Sequence, residues 1–128
     1  AKAGHDVVMA PGSHTYFDHY QSRDRAREPH AIGGFTPIDS VYAFEPVPAA
    51  LTDAEARHVL GAQAQLWTEY IPSTRHAEYM AYPRLVALAE VLWTPRPLRD
   101  YTHFRARLVP HLARLDALDV NYRRLDPQ

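Results

Sequence analysis

Two short apolar runs constrain this chain more than anything else in it. They are Asp6-Val7-Val8-Met9-Ala10, closed by Pro11-Gly12, and the stretch from Val59 to Trp67. Apolar runs of this length, bounded by turn residues, fit strands buried on both faces of a parallel sheet. Two such strands do not make a covered sheet, because each needs hydrogen-bonding neighbours at its edges and packed helices over its faces. The 128 residues suffice for one ordinary domain and not for two. Gly61, Ala62 and Ala64 suit the close-packed layers inside a barrel. The expectation is an α/β piece of a larger barrel, with functional loops at the C-terminal ends of its strands. The opening Ala1-Lys2-Ala3-Gly4-His5 lacks an initiator methionine and a signal-like apolar stretch, which fits a chain that begins inside a longer protein.

Between and after the two runs the punctuation is legible. Ser13 to Gly34 is polar, holds Pro29 and Gly33-Gly34, and reads as a long loop of the kind that carries function. Thr36 to Tyr42 has room for a short helical turn, and Phe44 to Pro48 is an extended connection. Thr52-Asp53-Ala54-Glu55 is a capping box that opens a short helix to about His58. Ser73-Thr74 caps a helix opening near Arg75, which Pro83 kinks or restarts. Leu85, Leu88, Ala89 and Leu92 form a stripe at helical spacing, ended by Pro95 and Pro97. Phe104, Leu108, Leu112, Leu115 and Leu118 form another after Asp100, with a bend at Pro110. Residues 99–128 are thus a terminal helix and a tail, frayed from Tyr122 onward. Glu90 lies on an otherwise apolar stretch and is expected in a structural ion pair, with Arg84 or another base.

Composition removes several function classes. With 14 basic and 15 acidic side chains the formal net charge is -1, which speaks against a nucleic-acid or anionic-membrane partner. No apolar run approaches the roughly 20 residues that span a bilayer. There is no cysteine, so disulfides and thiolate zinc sites are excluded. The eight histidines, at positions 5, 14, 19, 30, 58, 76, 103 and 111, form no His-Glu-x-x-His motif and read as surface or structural residues, with no metal site assigned. Neither a Gly-rich phosphate loop nor a nucleophile-elbow string is present, and no cofactor is implied.

Two clusters carry chemistry. Trp67 and Glu69 stand two residues apart after the second run, and on an extended segment such residues point to the same side. An indole beside an acceptor-rich carboxylate suits a sugar ring, whose C–H face stacks and whose hydroxyls donate. The bland alternative is a buried tryptophan with a surface glutamate at a strand end. Tyr16 and Asp18 repeat the spacing after the first run, offering a phenol and two acceptor oxygens. There the alternative is a loop tyrosine packed on the barrel beside a solvated aspartate.

The order of these strings resembles the C-terminal part of the catalytic domain of β-N-acetylhexosaminidases, glycoside hydrolase family 20. The resemblance runs through Val7-Val8-Met9-Ala10-Pro11 with Tyr16-Phe17-Asp18, Tyr42-Ala43-Phe44-Glu45-Pro46, Gly61 to Ile71 with its Trp67-Thr68-Glu69-Tyr70 core, Glu78-Tyr79-Met80, Pro83-Arg84-Leu85 and Ala87 to Trp93. It implies that residues 1–128 are the last two β/α units of a (β/α)8 TIM barrel, incomplete on their own. It also implies a retaining, exo-acting enzyme that removes terminal β-linked N-acetylglucosamine or N-acetylgalactosamine. In that family the substrate's acetamido oxygen is the nucleophile, and a glutamate preceded by an aspartate is the general acid. This chain contains no adjacent Asp-Glu dipeptide, so no catalytic residue is assigned and the acid is expected upstream. Tyr16, Asp18, Trp67 and Glu69 resemble substrate-binding residues. The implied partners are N-acetylhexosamine-terminated glycans or chitooligosaccharides and the rest of the barrel, in a periplasmic or secreted bacterial setting. A non-catalytic sugar-binding or assembly fragment completed by another chain is the second reading, and a different glycosidase barrel sharing Trp and Glu by convergence is the third. With strand edges unpaired, the chain alone is expected neither to fold stably nor to hydrolyse anything. A cooperative unfolding transition of the isolated chain would contradict that expectation.

Overall fold

A computed structural model describes residues 1–126. Among them the sheet has two parallel strands, β1 (Val7–Met9) and β2 (Val59–Ala62). Val7 pairs with Val59, Val8 with Gly61 and Met9 with Ala62, so Leu60 is an extra residue bulged out of β2. Gly61 adopts φ 145°, a conformation open to glycine and strained for other residues. The ladder breaks after one further bond, from the Gln63 amide to the Met9 carbonyl at 3.0 Å, because the opposite chain turns into a short helix, α1 (Gly12–Thr15). It resumes at Tyr16, which bridges Gln65: the Gln65 amide donates to Thr15 O at 2.8 Å and the Phe17 amide to Gln65 O at 2.7 Å. The second strand is therefore shorter than the expected Val59–Trp67.

Neither strand is buried on both faces, contrary to the expectation from their apolar runs. Val8 is exposed and Leu60 is 65% exposed, because these described residues place packed elements over one face only. The core lies on that covered side. Phe17, Val41, Tyr42 and Phe44 pack there against Ala87, Leu88 and Val91 and against Phe104, Leu108, Leu112 and Leu115, with Met9, Ala62 and Leu66 at its margin. The stretch Ser13–Gly34 is also not a bare loop. It holds α1 and a 3-10 turn at Arg25–Arg27, and it buries Thr15, Phe17, Asp18, Tyr20 and Gln21.

The helices follow their start and stop signals. α2 (Ile38–Tyr42) is the expected turn, and α3 (Asp53–Ala56) has both hydrogen bonds of the Thr52–Glu55 capping box. α4 (Thr74–Ala81) is capped by the Ser73 hydroxyl, which accepts from the His76 amide at 3.2 Å. α5 (Arg84–Trp93) starts directly after Pro83. Its buried face is Arg84, Ala87, Leu88 and Val91, whereas Leu85, Ala89 and Leu92 face outward and Trp93 is 90% exposed. The expected stripe is thus turned away from the core except at Leu88. Apolar residues ring this helix, so periodicity does not choose a face; Arg84 does.

Arg84 is fully buried, and its five N–H donors make five hydrogen bonds to main-chain carbonyls. Nε donates to Met80 O at 3.1 Å, Nη1 to His19 O at 3.1 Å and to Thr36 O at 2.9 Å, and Nη2 to the carbonyls of Phe17 and Met80. The guanidinium also lies 4.8 Å from the Phe17 ring centroid. Burial pushes its pKa down to about 9, with Glu28 and Asp18 acting in the opposite direction, so it stays charged at neutral pH. Glu90 pairs instead with Arg107 in a bidentate contact, Nη1 to Oε2 at 3.1 Å, which ties α5 to α6 (Tyr101–Ala117).

α6 continues through Pro110 and buries Phe104, Leu108, Leu112 and Leu115 as expected. Leu118 is exposed because the helix has ended: Asp119 takes φ 54°, its amide donates to Asp116 O and the Val120 amide to Leu115 O, the pattern of a Schellman cap. The tail is not frayed at Tyr122. Tyr122 is buried and its hydroxyl donates to Asp116 Oδ2 at 3.0 Å, while the Arg123 amide donates to Tyr82 O and Arg123 Nε to Glu28 Oε1 at 2.6 Å. Glu28 also accepts from the Tyr79 hydroxyl at 3.1 Å, and burial, with Glu28 beside it, pushes that phenol up to about 12. The rest of the expected frayed tail, residues 127 and 128, lies outside the described residues.

Replacing Arg84 tests this arrangement. Arg84→Met strands four buried carbonyl groups and should destabilise the protein that carries this segment by on the order of 3–5 kcal/mol in denaturant unfolding. Arg84→Lys restores the charge but only three donors, and should recover a minor part. A loss below about 1 kcal/mol for Arg84→Met contradicts the central role of this side chain.

Candidate functional site

The broken ladder sets the geometry of the site. Because Tyr16 lies opposite Gln65, the residues that follow on the two chains, Asp18 and Trp67, leave the sheet side by side. Tyr16, Asp18, Trp67 and Glu69 line one open hollow of about 480 Å³. All four residues singled out from the sequence are therefore brought together. The far wall comes from the loop at Ile32, Gly33 and Gly34, and the remaining side chain is His19.

The environments of the four depart from the bland alternatives. Trp67 is 53% exposed rather than buried, so an indole face is available at the hollow. Asp18 is 4% exposed rather than solvated, and its Oδ1 is buried without a hydrogen-bond partner among the described residues. A buried, unpartnered carboxylate oxygen is costly, and the buried Arg84 guanidinium is the charge that favours it through space. Glu69 is exposed, and its carboxylate makes no hydrogen bond to the described residues. The Tyr16 phenol lines the hollow and makes no hydrogen bond to the described residues.

Sequence reasoning placed His19 among structural histidines and passed over Gly34. The His19 ring lies 5.6 Å from the Tyr16 ring at 44°, and its Nδ1 is 3.0 Å from Thr36 Oγ1. Gly34 sits at φ +62°, and a Cβ there would run into the His19 ring. The glycine is therefore required twice, by its backbone and by its neighbour. The signal in the sequence was Gly33-Gly34 itself, at the end of a loop that reads as functional. Burial lowers the His19 pKa; Asp18 raises it and Arg84 lowers it further. Among the described residues no group of three or more histidine, aspartate or glutamate side chains is placed to hold a metal ion.

Known proteins share this arrangement of strings and elements. The family described as glycosyl hydrolase family 20, catalytic domain, matches residues 1–96. The chain belongs to glycosyl hydrolase family 20. A β-hexosaminidase of Porphyromonas gingivalis is 48% identical to this family-20 chain over 123 residues, 95% of this chain and 16% of that protein. A β-hexosaminidase of Akkermansia muciniphila is 32% identical over 110 residues, covering 86% of this chain and 22% of its own length. A solved family-20 exo-β-N-acetylglucosaminidase of Vibrio harveyi, in complex with N-acetylglucosamine, superposes with a TM-score of 0.83 at 36% identity, over 96% of this chain and 19% of that one. The chain thus spans about a fifth of these relatives or less.

Two partly buried histidines, His19 at the hollow and His76 in α4, couple the fold to acid. His19 and His76 both have pKa values lowered by burial from the ordinary 6.5. A lowered folded value means that the unfolded chain binds protons first as pH falls. The stability these groups contribute is therefore complete above 6.5 and is lost as pH drops toward the folded values. Denaturation midpoints measured between about pH 7.5 and 5 should fall less steeply in His19→Gln than in the parent. Identical slopes contradict the burial of His19.

Proposed function

We propose that this chain is the C-terminal part of the catalytic barrel of a retaining exo-β-N-acetylhexosaminidase and supplies half of its sugar-holding site. In this reading residues 1–128 are the last two β/α units of a (β/α)8 barrel, with residues 99–128 as its terminal helix and tail. The observation that carries it is the convergence of Tyr16, Asp18, Trp67 and Glu69 on one hollow able to take a pyranose. The neighbouring surfaces agree with a chain built to be covered: Val8 and Leu60 stand bare on the open face of the sheet.

Each side chain has a task set by its chemistry. Trp67 gives a flat apolar face to the C–H side of the ring. Glu69 accepts from the hydroxyls at C4 and C6, and Asp18 accepts from a further sugar hydroxyl. The Tyr16 phenol donates to the acetamido oxygen, holding it for attack on the anomeric carbon and stabilising the oxazoline charge that develops. The proton for the leaving group comes from a glutamate elsewhere in the protein, since no Asp-Glu dipeptide occurs in these residues. The substrates are glycans or chitooligosaccharides ending in N-acetylhexosamine. That same missing dipeptide is what favours the second reading, a sugar-binding fragment without catalysis.

A chromogenic β-N-acetylglucosaminide assayed against the matching β-glucoside separates these readings in the full-length protein. The N-acetyl substrate should be strongly preferred. Glu69→Gln removes a hydrogen bond to a charged acceptor and should lower kcat/KM by roughly 10- to 100-fold, the equivalent of about 1.5–3 kcal/mol. Preference for the plain glucoside overturns the acetamido role of Tyr16, and turnover of neither substrate leaves the binding-only reading.

A further inference from the structure

We propose that His19 is a further sugar-binding residue, donating its Nε2–H to the oxygen of a sugar hydroxyl that itself donates to Asp18. The proposal rests on the sugar-site reading above and adds a contact to it. His19 lines the same hollow as Asp18, and its Nδ1 is taken up by Thr36 Oγ1 at 3.0 Å. Its Nε2 has no partner among the described residues and is not buried, so it is the ring nitrogen left for the cavity.

The Thr36 hydroxyl decides which proton the ring carries. Thr36 is fully buried, and His19 Nδ1 is the partner of its hydroxyl. If Nδ1–H donated to Oγ1, the hydroxyl proton would be buried without an acceptor, at a cost of about 1–3 kcal/mol. If the hydroxyl donates to Nδ1, its proton is satisfied and the imidazole proton sits on Nε2. The second arrangement is favoured, and it turns a donor toward the hollow. Burial keeps the ring neutral at pH 7, so the donor is presented without a second positive charge beside Arg84.

The hollow needs such a group. Asp18 and Glu69 only accept, and Tyr16 is engaged with the acetamido oxygen in the reading above. A sugar hydroxyl donating to Asp18 keeps two lone pairs, and His19 Nε2–H is the donor at hand for one of them. The ring cannot drift from this position: Tyr16 packs on one side, Thr36 holds Nδ1, and the Cβ-free Gly34 lets the backbone close on the ring.

Two measurements on the full-length protein test this, with N-acetylglucosamine as the probe. In nitrogen-15 spectra of histidine-labelled protein, the His19 Nε2 should be protonated at neutral pH and should shift when N-acetylglucosamine is added. An unprotonated Nε2, or one that does not respond while the sugar binds, overturns the proposal without any variant. Second, His19→Phe should weaken N-acetylglucosamine binding roughly five- to tenfold, and His19→Gln, whose amide nitrogen reaches a similar place, should recover most of it. A His19→Phe protein that binds as tightly as the parent overturns the proposal and leaves the sugar site standing. A parent protein that fails to bind N-acetylglucosamine overturns both.

Discussion

The structure depends on one buried guanidinium. Arg84 takes the carbonyls of Phe17, His19, Thr36 and Met80, four groups from three separate stretches of chain, and gives each of them a donor. Buried carbonyls without donors are penalised, so irregular backbone such as the stretch after β1 is stable in a core only where something else completes its hydrogen bonding. Here a side chain does what a neighbouring strand would do. The planar fork fixes the direction of each bond, and the Phe17 ring beneath it shares in desolvating the charge. The segment Tyr16–His19 is thereby held as firmly as sheet, without being sheet.

That rigidity matters because the candidate site is made from short pieces. Tyr16 and Asp18 come from the segment clamped by Arg84, and Trp67 and Glu69 from the extension of β2 paired with it at Gln65. Binding a sugar with few contacts requires that those contacts be in place beforehand, since ordering them on binding would consume much of the gain. The relatives reported above are several times longer, and among the described residues the sheet face bearing Val8 and Leu60 stays bare.

Much of this was legible in the residues. Caps at Thr52, Ser73 and Asp100 are local signals, decided within four residues, and they place three helix starts without tertiary knowledge. The four residues expected to meet a sugar do share one hollow, because i, i+2 spacing on extended chain survives whether or not the segment is regular strand. What the residues did not disclose was long-range. Nothing near Arg84 says that its partners are carbonyls up to 67 positions away, and so the buried face of α5 keeps only Leu88 of the expected stripe. The bulge at Leu60 and the helical turn at Gly12–Thr15 shorten the strands for the same reason: pairing partners set them, not propensity. His19 was passed over because a histidine's role is fixed by what holds its other nitrogen.

The Glu28 carboxylate has a consequence beyond the tail it pins. It sits nearly inaccessible to water, gripped by Tyr79 and by Arg123, which is 95 positions further along the chain. Displacing Arg123 would leave that anion without its cation. The cheapest relief would be for the surrounding backbone to swing outward until water reaches the charge. The same backbone continues within four residues to Ile32 and the two glycines that wall the hollow. A disturbance around Arg123 would therefore be felt as a looser mouth on the hollow, a remote lesion that no inspection of the sugar contacts would explain.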